Sequence, residues 1–445
     1  MSPTARPFRF LAVIVIAFVA LGCSGKTPPT AAPSAPTSSP TTSPTAAASA
    51  AVKPASDAWL VAGRAGEDGL EVIRSSTSER LIDLPTGIPD PIWGRLVTAS
   101  VNGSTTIVRD LTVQPGFGGA SQTLAGSWRL PTLGAEPMPV GISGDGRTIV
   151  LVEAKGAASS GTSPTSRFAV LRRTFDAKPR MVELAGSFEY DALAPDGSVL
   201  YVVEHLPGPP DGHYQVRAID TATGVLRDGV VVDKAQSDEA MAGWPIGQVR
   251  RPDGMVFTLY HGAEHPFIHA LSSIDAWALC IDLPSTGADD AGAAMDWGLA
   301  VTRRDALIAV NATLGLAAEI PLSDLAVRKS VTFTPLASTA ISLAKFGHQP
   351  GGPVGRRVVV SPLGSAIYAA GSGGIVRLDL ADLSVSGRFL EGVAVDAMAV
   401  TPDGGAIYAL VHSGGRIVQL DPASGRIVGQ VPGEGYDRLV AVVPW

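Results

Sequence analysis

One four-residue punctuation mark recurs along this chain and leaves little choice of fold. It reads Ser143-Gly144-Asp145-Gly146, Ala194-Pro195-Asp196-Gly197, Arg251-Pro252-Asp253-Gly254 and Thr401-Pro402-Asp403-Gly404, with Ser361-Pro362-Leu363-Gly364 a close variant. Asp-Gly suits a tight hairpin, because glycine accepts positive φ without a steric cost and aspartate bonds to the backbone beside it. An apolar run follows each mark, at Thr148–Val152, Leu200–Val203, Val256–Tyr260, Ala366–Ala370 and Ala406–Val411. From Asp57 to Trp445 such runs stay short and rich in Val, Ile, Leu and Tyr, with no long amphipathic helix between them. Many short antiparallel strands are the expected result.

Units of roughly 40–60 residues that each hold four strands point to an all-β fold, a β-propeller. The last unit is the clearest, with strands expected at Ala397–Val400, Ala406–Val411, Arg416–Leu420 and Arg426–Val431. Its sequence, AVTPDGGAIYALVHSGGRIVQLDPASGRIVGQV, resembles the YVTN-type propeller repeat, as do Ser361–Phe389 and, more loosely, Ala194–Val232. The resemblance implies the fold and leaves function open, since such repeats serve many purposes. Second strands fall near Trp59, Leu96, Thr148, Leu200, Val256, Ala306, Ala366 and Ala406, which gives eight blades. Seven, the number usual for this repeat type, is the alternative. The first unit, Trp59 to Leu84, holds only three strands, while Leu439–Val443 at the C-terminus has no unit of its own. Together they would complete one blade and close the ring, removing the sheet edges that an open ring exposes.

The N-terminus reads as an address. Arg6 and Arg9 precede the apolar run Leu11 to Leu21, which is too short for a membrane-spanning helix of about 20 residues. Positive charge followed by a short apolar run is the pattern of a secretory signal, here residues 1–22. Ala20-Leu21-Gly22-Cys23-Ser24 resembles the lipobox of bacterial lipoproteins, with Ala20 where leucine is usual. That resemblance implies a lipid on Cys23 and a membrane anchor on the extracytoplasmic side of the cell. Residues 23–56 are then a stalk, nearly all Pro, Thr, Ser and Ala after Lys26, unable to bury enough apolar area to fold. Residues 57–445 form the propeller. The other cysteine, Cys280, falls in an apolar run and is expected in a buried strand.

A net charge of −7 argues against nucleic acid as a partner. Two sets of residues carry possible chemistry on the face where interblade links and second-to-third-strand turns converge. Asp191, Asp296, Asp396 and Asp437 each stand just before an expected innermost strand and would ring the channel mouth. Converging carboxylates there would suit a hard cation such as Ca²⁺; the plainer role is bonding to loop amides. Glu153, Glu204, His205, His261 and His412 fall at the ends of second strands, and five of the seven histidines (His205, His213, His261, His265 and His269) lie in two adjacent blades. Imidazole beside carboxylate suits ligand binding or acid–base work. His261-Gly262-Ala263-Glu264-His265 matches H-x-x-E-H, but Pro266 rules out the helix that this zinc motif needs. Trp244 and Trp297 could stack on a ligand, although large aromatics more often fill a core. No nucleophile elbow, Walker loop or paired C-x-x-C occurs. The expectation is a surface-displayed, non-catalytic module that binds a small ligand, an envelope protein or a wall glycan. The alternative resembles the propeller lactonases, hydrolysing a lactone or ester with Glu204, His205 and His261.

Overall fold

The Asp-Gly marks are hairpins of one kind. In each, the glycine N–H donates to the carbonyl three residues back, as Gly197 does to Ala194 and Gly404 to Thr401. The aspartate then accepts the amide two residues on: Arg147 to Asp145 (2.9 Å), Ser198 to Asp196 (2.9 Å), Met255 to Asp253 (3.2 Å) and Gly405 to Asp403 (2.9 Å). Gly146, Gly197, Gly254, Gly364 and Gly404 all have φ between +69° and +86°, where a side chain would be strained.

The computed structural model describes residues 57–443, apart from 68–69, 85–86, 90–94, 113–118, 132–139, 155–163, 208–212, 232–240, 262–264, 286–295 and 337–353. The signal, Cys23 and the stalk lie outside the described residues. So does Glu264.

The strands assemble into eight antiparallel four-stranded blades, and no helix occurs among the described residues. Blades 2 to 8 span Gly87–Ala125, Trp128–Ala185, Ser187–Leu226, Trp244–Asp282, Trp297–Thr332, Val358–Phe389 and Val395–Gln430. Blade 1 takes three strands from Trp59–Leu84, and Tyr436–Val443 pairs antiparallel with Trp59–Arg64 to complete it. The ring is therefore closed by the two ends of the propeller sequence, with eight blades and not seven. Every expected second strand forms, from Trp59–Arg64 to Ile407–Val411.

The core lies in the seams between blades. Leu193, Leu200 and Val202 of blade 4 pack with Ile149, Leu151 and Phe168 of blade 3. The opposite face of blade 4, with Tyr201, Tyr214 and Val216, packs against Val256, Tyr260 and Leu271 of blade 5. Alternation along each strand sends neighbouring side chains into different seams, and that decides which polar residues meet.

Two elements have no counterpart in the repeat pattern: Met241–Ala242 pairs with His213 and Tyr214 at the edge of blade 4, and the other lies at the closing strand. Val354–Gly355 pairs in parallel with Arg438 and Leu439 on the channel side of the closing strand, and Arg356 bridges to Met398 of blade 8. Gly355 is required there by close approach, since a Cβ would fall 2.0 Å from that of Ala397.

Candidate functional site

The four aspartates do not stand in an open ring. Asp191, Asp396 and Asp437 are inside the inner strands of blades 4, 8 and 1, each at a shift in register: Tyr190 pairs with Val202 but Ala192 with Tyr201, Val395 with Val411 but Ala397 with Leu410, and Arg64 with Tyr436 but Gly63 with Arg438. An extra residue at a bulge is re-aimed out of the strand's alternation. Asp296 immediately precedes the inner strand Trp297–Val301 of blade 6. Asp191, Asp296 and Asp396 are all buried.

Three of the four have their own partners. Asp296 accepts Nη1 of Arg357 at 2.6 Å and the hydroxyl of Thr313 at 2.6 Å. The amide of Ser372 donates in turn to the Thr313 oxygen at 3.1 Å, so a polar chain crosses from blade 6 to blade 7. Asp396 lies 2.9 Å from Nδ1 of His412, and Asp437 accepts Nε of Arg438 at 2.9 Å. Asp191 differs: neither carboxylate oxygen takes part in a hydrogen bond. Burial raises its pKa to about 6, against a smaller lowering by Arg250. Arg250 points elsewhere, with Nε on the Gln248 side-chain oxygen (2.7 Å) and Nη2 on the Tyr190 hydroxyl (2.9 Å). Gln248 donates to the backbone carbonyl of Asp191 at 3.1 Å and to Thr258 at 2.8 Å. Beside this group the rings of Tyr214 and Tyr260 stack 5.1 Å apart. Burial pushes both phenols well above their ordinary range. Among the described residues, no three His, Cys, Asp or Glu side chains converge as they would on a metal ion.

The second set is divided by strand alternation. Glu204 and His205 are successive residues of Val199–His205, so they face opposite seams. Glu204 binds Nη1 of Arg217 (2.9 Å) and Nε2 of Gln215 (2.6 Å). His205 pairs in register with Tyr214 on the blade 5 side, and its Nε2 lies 3.3 Å from Glu189. His261 ends a strand opposite Pro266, with His265 just before the next strand, so the two histidines of the H-x-x-E-H match flank antiparallel strands. His265 reaches Asp282 at 2.8 Å. His269 is in the core, edge-on to Tyr260. Glu153 pairs with Arg167 at 3.3 Å. Cys280 is half-buried against the blade 4–5 core and not fully enclosed.

The tryptophans part company. Trp297 is 1% exposed, as core packing requires, but Trp244 is 44% exposed at the start of the inner strand of blade 5, opposite His261 in register. An expectation of burial fails for Trp244 because it precedes the span over which blades 5 and 6 pack, Ile246 being the first inner-strand residue in that core.

A cavity of about 310 Å³ lies on the same face at blade 7, lined by Thr334, Pro335, Leu336, Gly373, Arg388, Glu391 and Gly392. Sequence reasoning missed it, because its walls come from a fourth strand, a turn and two interblade links far apart in the chain. The only signal was the turn chemistry of Gly373-Gly374 and Glu391-Gly392.

No protein-family model matches the chain, and no curated protein is similar to it in sequence. Among solved structures, it is similar to apo AztD from Citrobacter koseri, at 11% identity and TM-score 0.53, over 87% of this chain and 98% of that one. It is also similar to the dihydro-heme d1 dehydrogenase NirN in complex with DHE, at 13% identity and TM-score 0.53, over 89% of this chain and 78% of that one. Likeness at this level is one of fold, and the protein is an eight-bladed β-propeller.

Proposed function

We propose that this chain is a lipoprotein anchored through Cys23, presenting its propeller on the extracytoplasmic side of a bacterial membrane as a non-catalytic module that binds a cell-envelope glycan. The anchor reading is supported by the order of Arg6 and Arg9, the Leu11–Leu21 run, Cys23 and the Pro/Thr/Ser/Ala stalk. The binding reading is carried by Trp244, an indole 44% exposed and paired in register with His261. An exposed indole offers a large, rigid apolar face that a sugar ring can stack on, at little cost in side-chain ordering. The nearby imidazole supplies a polar group for ring hydroxyls.

Fluorescence titration of the full chain with soluble wall-glycan fragments tests the binding. Saturable binding that weakens at least tenfold in Trp244→Ala, at an unchanged melting temperature, is expected. No binding by the wild type, or equal binding by the variant, ends this reading. Turnover on a lactone and ester panel would replace it with the hydrolase. The anchor is tested by mass spectrometry and fractionation: Cys23→Ala should leave the membrane fraction, and an unlipidated wild type would exclude the anchor.

A further inference from the structure

The cavity at blade 7 is distinct from the Trp244 surface and has its own chemistry. It holds one cationic and one anionic side chain, and neither is in an ion pair among the described residues. Arg388 gives a single donor, Nη2, to the carbonyl of Thr334 at 2.8 Å. That bond fixes the guanidinium at the wall and leaves the rest of its five-donor fork for a guest. Glu391 is exposed, two residues past the end of the strand Val385–Phe389.

The walls are built to hold their shape. The amide of Gly392 donates to the carbonyl of Gly373 at 2.9 Å, which ties the interblade link to the turn between the second and third strands. Leu390 has φ +51°, in the left-handed region that a leucine rarely occupies, and Gly392 has φ +78°. Such backbone persists only where its surroundings fix it, and it gathers at binding sites. Behind the cavity, the Leu336 amide donates to Ala312 at 2.9 Å, and the Ser372 hydroxyl donates to the Leu336 carbonyl at 3.4 Å. Ser372 is part of the Asp296–Thr313 chain, so one wall rests on the buried polar network of blades 6 and 7.

About 310 Å³ is at the small end of ligand sites. A guest of this size that satisfied both charges would bear a carboxylate for the Arg388 fork and an ammonium for Glu391. A lone anion would leave Glu391 opposed to it, and a lone cation would face Arg388. We propose that this cavity binds a small zwitterion of the α-amino-acid type, its carboxylate on Arg388 and its ammonium on Glu391.

Isothermal titration of the full chain in detergent, with L-alanine, propionate and ethylamine as probes, tests the assignment. L-alanine should bind saturably, with propionate and ethylamine each at least tenfold weaker. Arg388→Ala should abolish L-alanine binding. Glu391→Gln, nearly isosteric and on the surface, should keep the wild-type melting temperature yet weaken L-alanine at least tenfold while leaving propionate unchanged or tighter. No heat from L-alanine at millimolar concentration overturns the proposal. So does propionate binding as tightly as L-alanine, or L-alanine binding unaffected by Glu391→Gln. None of these readouts depends on Trp244, so the glycan reading and this one fail separately.

Discussion

Asp191 and Asp296 are both buried at the inner strands of their blades, one in the bulge within Ser187–Leu193 and the other just before Trp297–Val301, yet they live in opposite circumstances. Asp296 has an arginine and a hydroxyl on its two oxygens, 2.6 Å away each, and a second hydroxyl residue behind them. Asp191 has a guanidinium in its neighbourhood that is committed to Gln248 and Tyr190 instead. A buried carboxylate with a cation and a hydroxyl on its oxygens recovers part of its desolvation cost, whereas one without them is costly to ionise. The seam between blades 6 and 7 is thus cross-braced by charge. The seam between blades 4 and 5 carries a carboxyl group whose pKa burial raises to about 6, near enough to Tyr201, Tyr214 and Tyr260 to act on their titration. Acids that look alike in a repeat pattern need not share position or chemistry.

The comparison can be broken most forcefully at Arg357. Arg357→Ala leaves Asp296 buried without its cation, and such a loss costs about 3–5 kcal/mol. The melting temperature should fall by several degrees at pH 7. Asp296→Asn combined with Arg357→Ala should lose less than the two single changes summed. A melting temperature unmoved by Arg357→Ala would show that the brace contributes nothing.

Asp191 gives the next effect, with the opposite sign. Its folded-state pKa, about 6, lies above the ordinary 3.8. The folded protein therefore holds the proton more tightly than the unfolded chain does, and the advantage is complete below the unfolded value. It is lost as pH rises through about 6, by roughly 3 kcal/mol in all. Stability of the wild type relative to Asp191→Asn should fall between about pH 4 and 6 and level off above. Urea unfolding of the two proteins across that range measures it, and parallel pH profiles would refute it. Asp196, Asp253 and Asp403 do not blur the window, because their pKa values are lowered and their contributions are lost only as pH falls below the usual carboxylate range.

The smallest effect belongs to Asp396 and His412, a carboxyl–imidazole contact with the imidazole 23% exposed. Solvent screens that contact, so Asp396→Asn should cost about 1 kcal/mol or less and be weaker still in high salt. A loss matching that of Arg357→Ala would mean that Asp396 is as deeply committed as Asp296.

Local patterning carried a great deal of the architecture. The Asp-Gly turns needed only their own residues to be read, because the aspartate, the amide two positions on and the positive-φ glycine all belong to one hairpin. Eight second strands followed from eight apolar runs. The unmatched strand at Leu439–Val443 implied closure, because blade 1 was one strand short. The candidate site was less legible. The acids were visible as a set, but their fates were set by register shifts of one residue and by arginines up to 61 positions away. Glu204 and His205 looked like a pair because they are adjacent in sequence, and strand alternation put them into different seams. Trp244 read as core because tryptophan usually is.

Turn chemistry and apolar alternation act over a few residues, so the sequence alone determined that this chain makes short strands, eight blades and a closed ring. Partnership is a matter of distance between segments far apart in the chain, which no local pattern encodes. Only the tertiary structure decided that Arg357 reaches Asp296 while Arg250 turns away from Asp191. It also decided that Gly355 lets a backbone strand lie against the closing strand, and that Arg388 and Glu391 share a cavity.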